Sequence, residues 1–122
     1  MDKFKGVVKE IKLKFPDFVI DEDIEDLPTV IFGFLCDYLM SSLIKDDKEI
    51  IRKFIDFIDS LSDDSDFIIS ACLDEIFLGL YTTKEVDYKK FKENLSLRAQ
   101  NMFQETIDLW AAGNQSTTVG AN

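Results

Sequence analysis

The sequence predicts an all-α fold, either an irregular bundle or a short HEAT-like stack of five to six antiparallel helices. Three observations lead to this prediction. Apolar residues recur every three to four positions in six segments, which is the period of a helix. No segment alternates apolar and polar residues with the period of two that marks a half-buried strand. Short polar stretches separate the helical segments, so consecutive helices should pack side by side.

The first predicted helix covers residues 2–15 and has one apolar and one basic face. Its apolar stripe consists of Phe4, Val7, Val8, Ile11 and Phe15. Its lysines lie mostly off that stripe: Lys3, Lys5, Lys9, Lys12 and Lys14. Because no arginine or aromatic platform accompanies them, we interpret this face as solvated surface and not as a nucleic-acid contact. Pro16 ends the helix.

The second and third helices are expected over residues 27–43 and 47–61. Asp26 is placed to cap the second helix. Gly33 inside this helix costs about 1 kcal/mol relative to alanine, so we expect another helix to cross closely there. Apolar residues of the third helix cover more than one stripe, which predicts that two of its sides are packed.

The fourth helix, residues 66–80, is the most apolar and is expected to be the central element. A shorter helical segment over residues 86–95 and a last helix over residues 96–110 follow it. We expect a single helical domain over residues 1–112. Residues 113–122 are rich in glycine, asparagine, serine and threonine, which predicts a flexible C-terminal tail.

The eleven phenylalanines are expected to be core material first. Those that fall on helical stripes are Phe4, Phe34, Phe54, Phe57, Phe67, Phe77, Phe91 and Phe103. Phe18, Phe32 and Tyr81 are the aromatic residues that could be exposed in an interface.

Acidic residues are concentrated in the middle of the chain. Residues 17–80 hold 17 Asp and Glu against 4 Lys and Arg, a local net charge of −13, whereas residues 1–16 carry a net charge of +3 and residues 81–122 are neutral. Such a segment repels nucleic acid and anionic membranes, and it attracts a basic protein surface. We therefore expect a protein partner, with no nucleic-acid or membrane binding.

The side chains that most enzymes and metal sites use are scarce. The chain has no histidine, which is the usual general base near neutral pH and the commonest metal ligand. Cys36 and Cys72 lie in apolar stretches and are expected to be buried thiols in a reducing compartment. A calcium loop starting at Asp21 would need glycine and glutamate where Asp26 and Phe32 stand. We expect no metal and no cofactor.

One carboxylate spacing leaves an enzymatic hypothesis open. Asp56 and Asp59 are three residues apart, and Glu75 lies on the next helix, so a carboxylate pair for acid–base catalysis could form. No phosphate cradle or nucleophile–base pair accompanies these residues. We therefore expect a binding protein and not an enzyme.

Three groups of acidic residues are the candidate partner-binding residues. Some of them should also cap helices or face solvent. The groups are the connector Asp21, Glu22, Asp23, Glu25 and Asp26; the turn Asp63, Asp64 and Asp66; and the pair Asp74 and Glu75 within the most apolar helix. The contact is expected to centre on the first two groups.

Several stretches of the chain resemble a family of small all-helical bacterial proteins. The pattern is a helix ending in phenylalanines and acids, an Asp-Asp turn, a helix holding a leucine next to acids, and a last helix closing with tryptophan. The stretches that carry it are Ile50–Ser65, Cys72–Ile76, Asn94–Ser96 and Asp108–Trp110. The family is that of immunity proteins of contact-dependent inhibition and other polymorphic toxin systems.

This resemblance implies a cytoplasmic protein that binds one cognate toxin domain and blocks its active site. Many such toxins are nucleases, whose substrate-binding surfaces must be basic. Because such a protein binds one toxin domain, the resemblance also implies a monomer that forms a 1:1 complex with its toxin. The alternative is a helical adaptor that binds a host protein by shape, with its acidic residues serving solubility only. Salt-dependent binding favours the first hypothesis and salt-insensitive binding the second.

Overall fold

Six α-helices and one turn of 3₁₀-helix make up the chain in the computed structural model. The structure describes the backbone of residues 2–120 and the side chains of residues 3–113, and within this part it contains no strand. The all-α prediction is thus confirmed. The helices are α1 (Asp2–Lys14), α2 (Pro28–Lys45), α3 (Lys48–Ser62), α4 (Phe67–Thr82), α5 (Tyr88–Glu93) and α6 (Leu97–Gly120), and the 3₁₀ turn is Glu22–Ile24.

Helix α4 is the central element of the bundle, as its apolar sequence predicts. It packs against α2, α3 and α6, and its pairing with α2 is the most extensive in the molecule. Cys36 in the middle of α2 donates a weak hydrogen bond from its Sγ to the Ile76 carbonyl of α4, over 3.6 Å. Further along, Ile44 shares a surface depression with Thr83, just past the end of α4. The two helices therefore run in the same direction.

Helices α2 and α4 approach each other closely at Gly79, and no element comes close to Gly33, so the crossing expected at Gly33 was wrong. A Cβ added at Gly33 would meet nothing within 4 Å. A Cβ added at Gly79 would lie 2.5 Å from Cys36 Sγ, which is closer than two such atoms can approach. The small residue that this crossing requires is therefore supplied by α4.

Aspartate side chains begin three of the helices. Asp47, Asp66 and Asp87 accept hydrogen bonds from backbone N–H groups in the first turns of α3, α4 and α5. The cap predicted for α2 is different, because Leu27 stands at that position and offers no side-chain acceptor. The Leu27 N–H donates to the Ile24 carbonyl, and the cap position therefore lies one residue after Asp26, with α2 beginning at Pro28.

Two aromatic clusters fill the core. In the first, the rings of Phe15 and Phe54 are stacked with centroids 4.3 Å apart. In the second, Phe77 of α4 stacks on Phe103 of α6 at 4.5 Å. Tyr81 packs edge-on against Trp110, which ties the C-terminal half of α6 to α4.

Two aromatic residues that were expected in the core are exposed, whereas Phe32, one of the three that could have been exposed in an interface, is not. Phe32 is fully buried, whereas Phe34 is 52% and Phe67 is 84% exposed. Phe67 is the first residue of α4, and helical side chains lean towards the N-terminus of their helix. Its ring therefore projects beyond the start of α4, where no neighbouring element covers it.

Asp46 adopts a backbone conformation that few side chains tolerate. It ends α2 with φ 57° and ψ 43°, in the left-handed region, and its carboxylate sits at the negative end of the helix dipole. We expect Asp46→Gly to raise the free energy of unfolding by about 1 kcal/mol and Asp46→Asn, which removes the charge alone, by about 0.5 kcal/mol. Urea unfolding checks this, with Asp56→Asn as the control that should change nothing; equal or lower stability of Asp46→Gly would contradict it.

The C-terminal end of the chain differs from the sequence analysis. The last helix was expected to end at residue 110, but the backbone of α6 continues as a helix through Gly120. The domain boundary expected at residue 112 stays a prediction. The side chains of 114–120 and the whole of residues 121 and 122 lie outside the described residues. The flexibility expected for residues 113–122 stays a prediction.

Helix α2 is the one described helix that is long and apolar enough to cross a membrane by length and composition. Core helices of soluble proteins also meet this criterion. Six of its residues are buried within the bundle, where they contact other helices: Ile31, Phe32, Leu35, Cys36, Leu39 and Ser42.

Candidate protein-binding surface

Helix α1 joins the two main acidic groups. We call residues 21–26 the acidic connector and residues 63–66 the acidic turn. Lys12 Nζ lies 2.6 Å from Glu25 Oε1 of the acidic connector, and Lys3 Nζ lies 3.0 Å from Asp64 Oδ1 of the acidic turn. These lysines are nine positions apart, so their backbone positions lie about 13 Å apart along α1. The basic face of α1 is therefore partly used to neutralise the chain's own acidic residues.

The acidic connector presents most of its carboxylates to solvent. Asp21 has a local role, because its side chain accepts the Asp23 N–H at the start of the 3₁₀ turn. Glu22, Asp23 and Asp26 are exposed, and their carboxylates form no ion pair or hydrogen bond with any described residue. Three negative charges thus remain available to an external partner.

An apolar stripe begins where the acidic connector ends. Val30 and Phe34 are four residues apart on α2, which places them on one side of the helix, and Leu27 directly precedes the helix at its N-cap. The exposed fractions of Leu27, Val30 and Phe34 are 46%, 39% and 52%. We call these three residues the apolar stripe. It gives the acidic connector an exposed hydrophobic neighbour, which the residue pattern alone did not distinguish from core.

Two of the three carboxylates of the acidic turn form hydrogen bonds within the fold, in contrast to most carboxylates of the acidic connector. Asp66 caps α4, accepting the N–H groups of Ile68 at 2.9 Å and Ile69 at 3.2 Å. Asp64 accepts both the Asp66 N–H and the Lys3 ammonium. Asp63 is exposed, and its carboxylate is 3.8 Å from Arg98 Nε, a pair too open and too solvated to add much stability. Only Asp63 therefore faces outward freely.

The contacts of Asp64 link the ionisation of its carboxyl group to the stability of the folded protein. The backbone N–H of Asp66 and, next, the hydrogen bond from Lys3 lower its pKa below the ordinary 3.8. A carboxyl whose pKa is lower in the folded state stabilises the protein above the unfolded pKa, and this contribution is lost as pH falls through the folded value. We expect Asp64→Asn to be less stable than the native chain near neutral pH, with the difference shrinking in acid.

Urea unfolding at neutral pH and at a pH below 3.8 measures this effect. Asp56→Asn is the matched control, since Asp56 is exposed and its carboxylate contacts no described residue. A gap between Asp64→Asn and the native chain that stayed constant across this range would show that the Asp64 charge plays no part.

Asp74 and Glu75 are neighbours in sequence but have different surroundings. Asp74 Oδ1 accepts the Thr106 hydroxyl at 2.6 Å, which links α4 to α6. Glu75 lies towards α2, where it and Asp37 add to the effect of burial in raising the pKa of the Cys36 thiol to about 12. No described hydrogen bond or ion pair joins either carboxylate to the acidic connector or the acidic turn. They are therefore weaker candidates for the same interface.

The carboxylates of the enzymatic hypothesis have separate roles. Asp59 Oδ1 accepts the Ser96 N–H at 2.7 Å and so fixes the start of α6, whereas Asp56 is exposed on α3. Glu75 lies on the α2 side of α4. The described contacts do not bring these residues together as a pair.

The two cysteines are buried and unpaired. Burial raises the pKa of the Cys72 thiol to about 12, as it does for Cys36, so neither is a thiolate near neutral pH. Within the described residues, no three acidic or cysteine side chains converge as a possible metal site.

Comparisons with protein-family profiles, with curated proteins and with solved structures found no match to this chain.

Proposed function

We propose that this chain is a cytoplasmic immunity protein that binds the basic surface of a toxin domain, such as a nuclease, and blocks its active site. One observation carries the proposal. Carboxylates that the fold leaves unpaired, those of Glu22, Asp23 and Asp26, adjoin the exposed apolar stripe of α2. Single exposed apolar residues are ordinary, but several on one helix face mark an interaction site.

The two halves of this surface have different physical tasks. Apolar side chains buried at an interface supply most of the binding free energy and slow dissociation. Carboxylates attract a basic partner over a distance and speed association. A nuclease that holds a phosphate backbone must present cationic groups, so an acidic surface can compete with its substrate. Asp63 of the acidic turn and the exposed Phe67, which directly follows that turn, would extend the same contact.

The structure also decides which residues can test the proposal. Charge reversal at Asp21 or Asp66 would remove a cap and so lower stability as well as charge. The combined variant Glu22→Lys, Asp23→Lys, Asp26→Lys avoids this problem. We expect it to slow association on the order of tenfold at low salt, with a smaller effect at high salt. Phe34→Ala should instead raise the dissociation rate about tenfold.

The matched control carries the same change in charge elsewhere. Asp56, Glu93 and Glu105 are exposed and lie outside both acidic groups, and their carboxylates have no described partner. Their combined reversal to lysine should leave the association rate much closer to that of the native chain. If both triple variants slowed association equally, net charge and not the acidic connector would be responsible.

The partner itself is found by affinity capture of the tagged chain from a lysate of its own organism, at low and at high salt. A basic protein that arrests growth when expressed alone, and not when co-expressed with this chain, supports the immunity function. Capture of a non-toxic neutral or acidic protein with no dependence on salt would contradict it and favour the adaptor hypothesis.

A further inference from the structure

A cleft of about 510 Å³ opens beside α3, between that helix and the segment that joins α4 to α5. The apolar pattern of α3 predicts that the helix is packed on two sides. One side, with Phe54 and Ile58, is fully buried. On the other side, Ile51 and Ile55 are only half-buried and line the cleft together with Val86. The second apolar side of α3 is therefore left partly uncovered.

One wall of this cleft carries two basic side chains as well as Asp46. Lys48 and Arg52 stand one turn apart on α3 and both line the cleft. They are two of the only four basic residues between positions 17 and 80, where acidic residues are otherwise abundant. Like charges at this spacing repel each other slightly on a helix. Within the described part of the chain, neither side chain forms an ion pair or a hydrogen bond.

The opposite wall is of mixed charge, because Lys90 of α5 lines it together with two acidic residues. Glu85 and Asp87 come from the segment that follows α4, and both line the cleft. The Asp87 carboxylate accepts the N–H groups of Lys89 and Lys90 at the start of α5. The Glu85 carboxylate forms no hydrogen bond or ion pair with any described residue, although Arg52 lines the same cleft. Opposite charges thus face the cleft without pairing across it.

We propose that this cleft binds a small apolar zwitterion, that is, a molecule with a carboxylate, an ammonium group and an apolar side chain, as in an apolar amino acid or dipeptide. The cleft volume falls within the range of small-molecule sites. The Arg52 guanidinium, with Lys48 beside it, would hold the carboxylate, because its planar fork matches that group. Glu85 would take the ammonium group, and Ile55 and Phe91 would contact the apolar side chain. This inference is independent of the proposed toxin binding.

The probe is the dipeptide Leu-Phe with free termini, titrated into the full ¹⁵N-labelled chain. We expect saturable shifts in the amide resonances of Ile51, Arg52, Val86 and Phe91. Arg52→Gln and Glu85→Gln should each weaken binding about tenfold or more, since each removes one charged contact. Both residues are exposed, so the variants should keep the native spectrum elsewhere.

Two blocked dipeptides separate the two walls of the cleft. N-acetyl-Leu-Phe lacks the ammonium group, so its weaker binding should be insensitive to Glu85→Gln and still sensitive to Arg52→Gln. Leu-Phe-amide lacks the carboxylate and should show the opposite pattern. Lys53→Gln is the matched control, because Lys53 adjoins Arg52 but is 3.9 Å from Glu49 and does not line the cleft.

Absence of saturable shifts at the cleft with millimolar Leu-Phe would overturn the proposal. So would equally tight binding of the free and the blocked dipeptides, because the charged walls would then contribute nothing.

Discussion

Replacing Phe15 with alanine is expected to lower the free energy of unfolding by about 3–5 kcal/mol, a large part of the total for a domain of this size. Phe15 lies directly after α1 and is fully buried. Its ring stacks on Phe54 at 4.3 Å and meets Phe57 edge-on at 5.8 Å. Alanine would leave a cavity that these rings cannot fill without moving. Urea unfolding followed by circular dichroism measures the loss.

Phe67→Ala is the control for this experiment. Phe67 is 84% exposed, so its truncation should change stability by no more than about 0.5 kcal/mol. If Phe15→Ala is too unstable to purify, Phe15→Leu keeps most of the volume and should still lose about 1–2 kcal/mol. Equal losses at positions 15 and 67 would mean that the core is not arranged as described.

In a double-mutant cycle at the crossing of α2 and α4, the effect of Gly79→Ala on the free energy of unfolding should change sign when Cys36 is replaced. Gly79→Ala alone is expected to lower the free energy of unfolding by about 1–2 kcal/mol. The new Cβ would be 2.5 Å from Cys36 Sγ, and the overpacking outweighs the gain in helix propensity of about 1 kcal/mol. In a Cys36→Ala background the sulfur is absent, so the same substitution should raise stability by about 1 kcal/mol.

Gly33→Ala tests the helix-propensity part of this argument by itself. Nothing lies within 4 Å of a Cβ at position 33, so alanine should stabilise the protein by about 1 kcal/mol whether or not Cys36 is present. If Gly79→Ala behaved like Gly33→Ala in the native background, the close approach of α2 and α4 at Gly79 would be contradicted.

These two experiments involve residues that the sequence treats alike. Gly33 and Gly79 are both glycines within apolar helices, and the pattern placed the crossing at the wrong one. Phe54 and Phe67 are both phenylalanines at helical spacing, and one is fully buried while the other is 84% exposed. Helices α2 and α4 are apolar almost all the way round, so periodicity does not select which side faces the core.

The candidate surface, too, has some features that are visible in the sequence and others that depend on the tertiary structure. The acidic connector and the acidic turn are visible in the sequence, because runs of aspartate and glutamate need no structure to be recognised. Three other features depend on which helices meet. Asp66 is mainly a cap. Lys3 and Lys12 neutralise Asp64 and Glu25, and an apolar stripe adjoins the acidic connector. The cleft beside α3 is likewise absent from the residue pattern, since its walls come from segments 30 or more residues apart.

The sequence by itself determined the fold class, the order of the helices, the central place of α4 and the position of most helix starts. These features depend on local properties: the helical period of apolar residues, aspartate caps and breaks at polar turns. Only the tertiary structure decided which glycine carries the close crossing, which phenylalanines face solvent and which carboxylates remain unpaired. Those outcomes depend on the rotation of each helix about its axis, which packing against distant segments sets and local sequence does not.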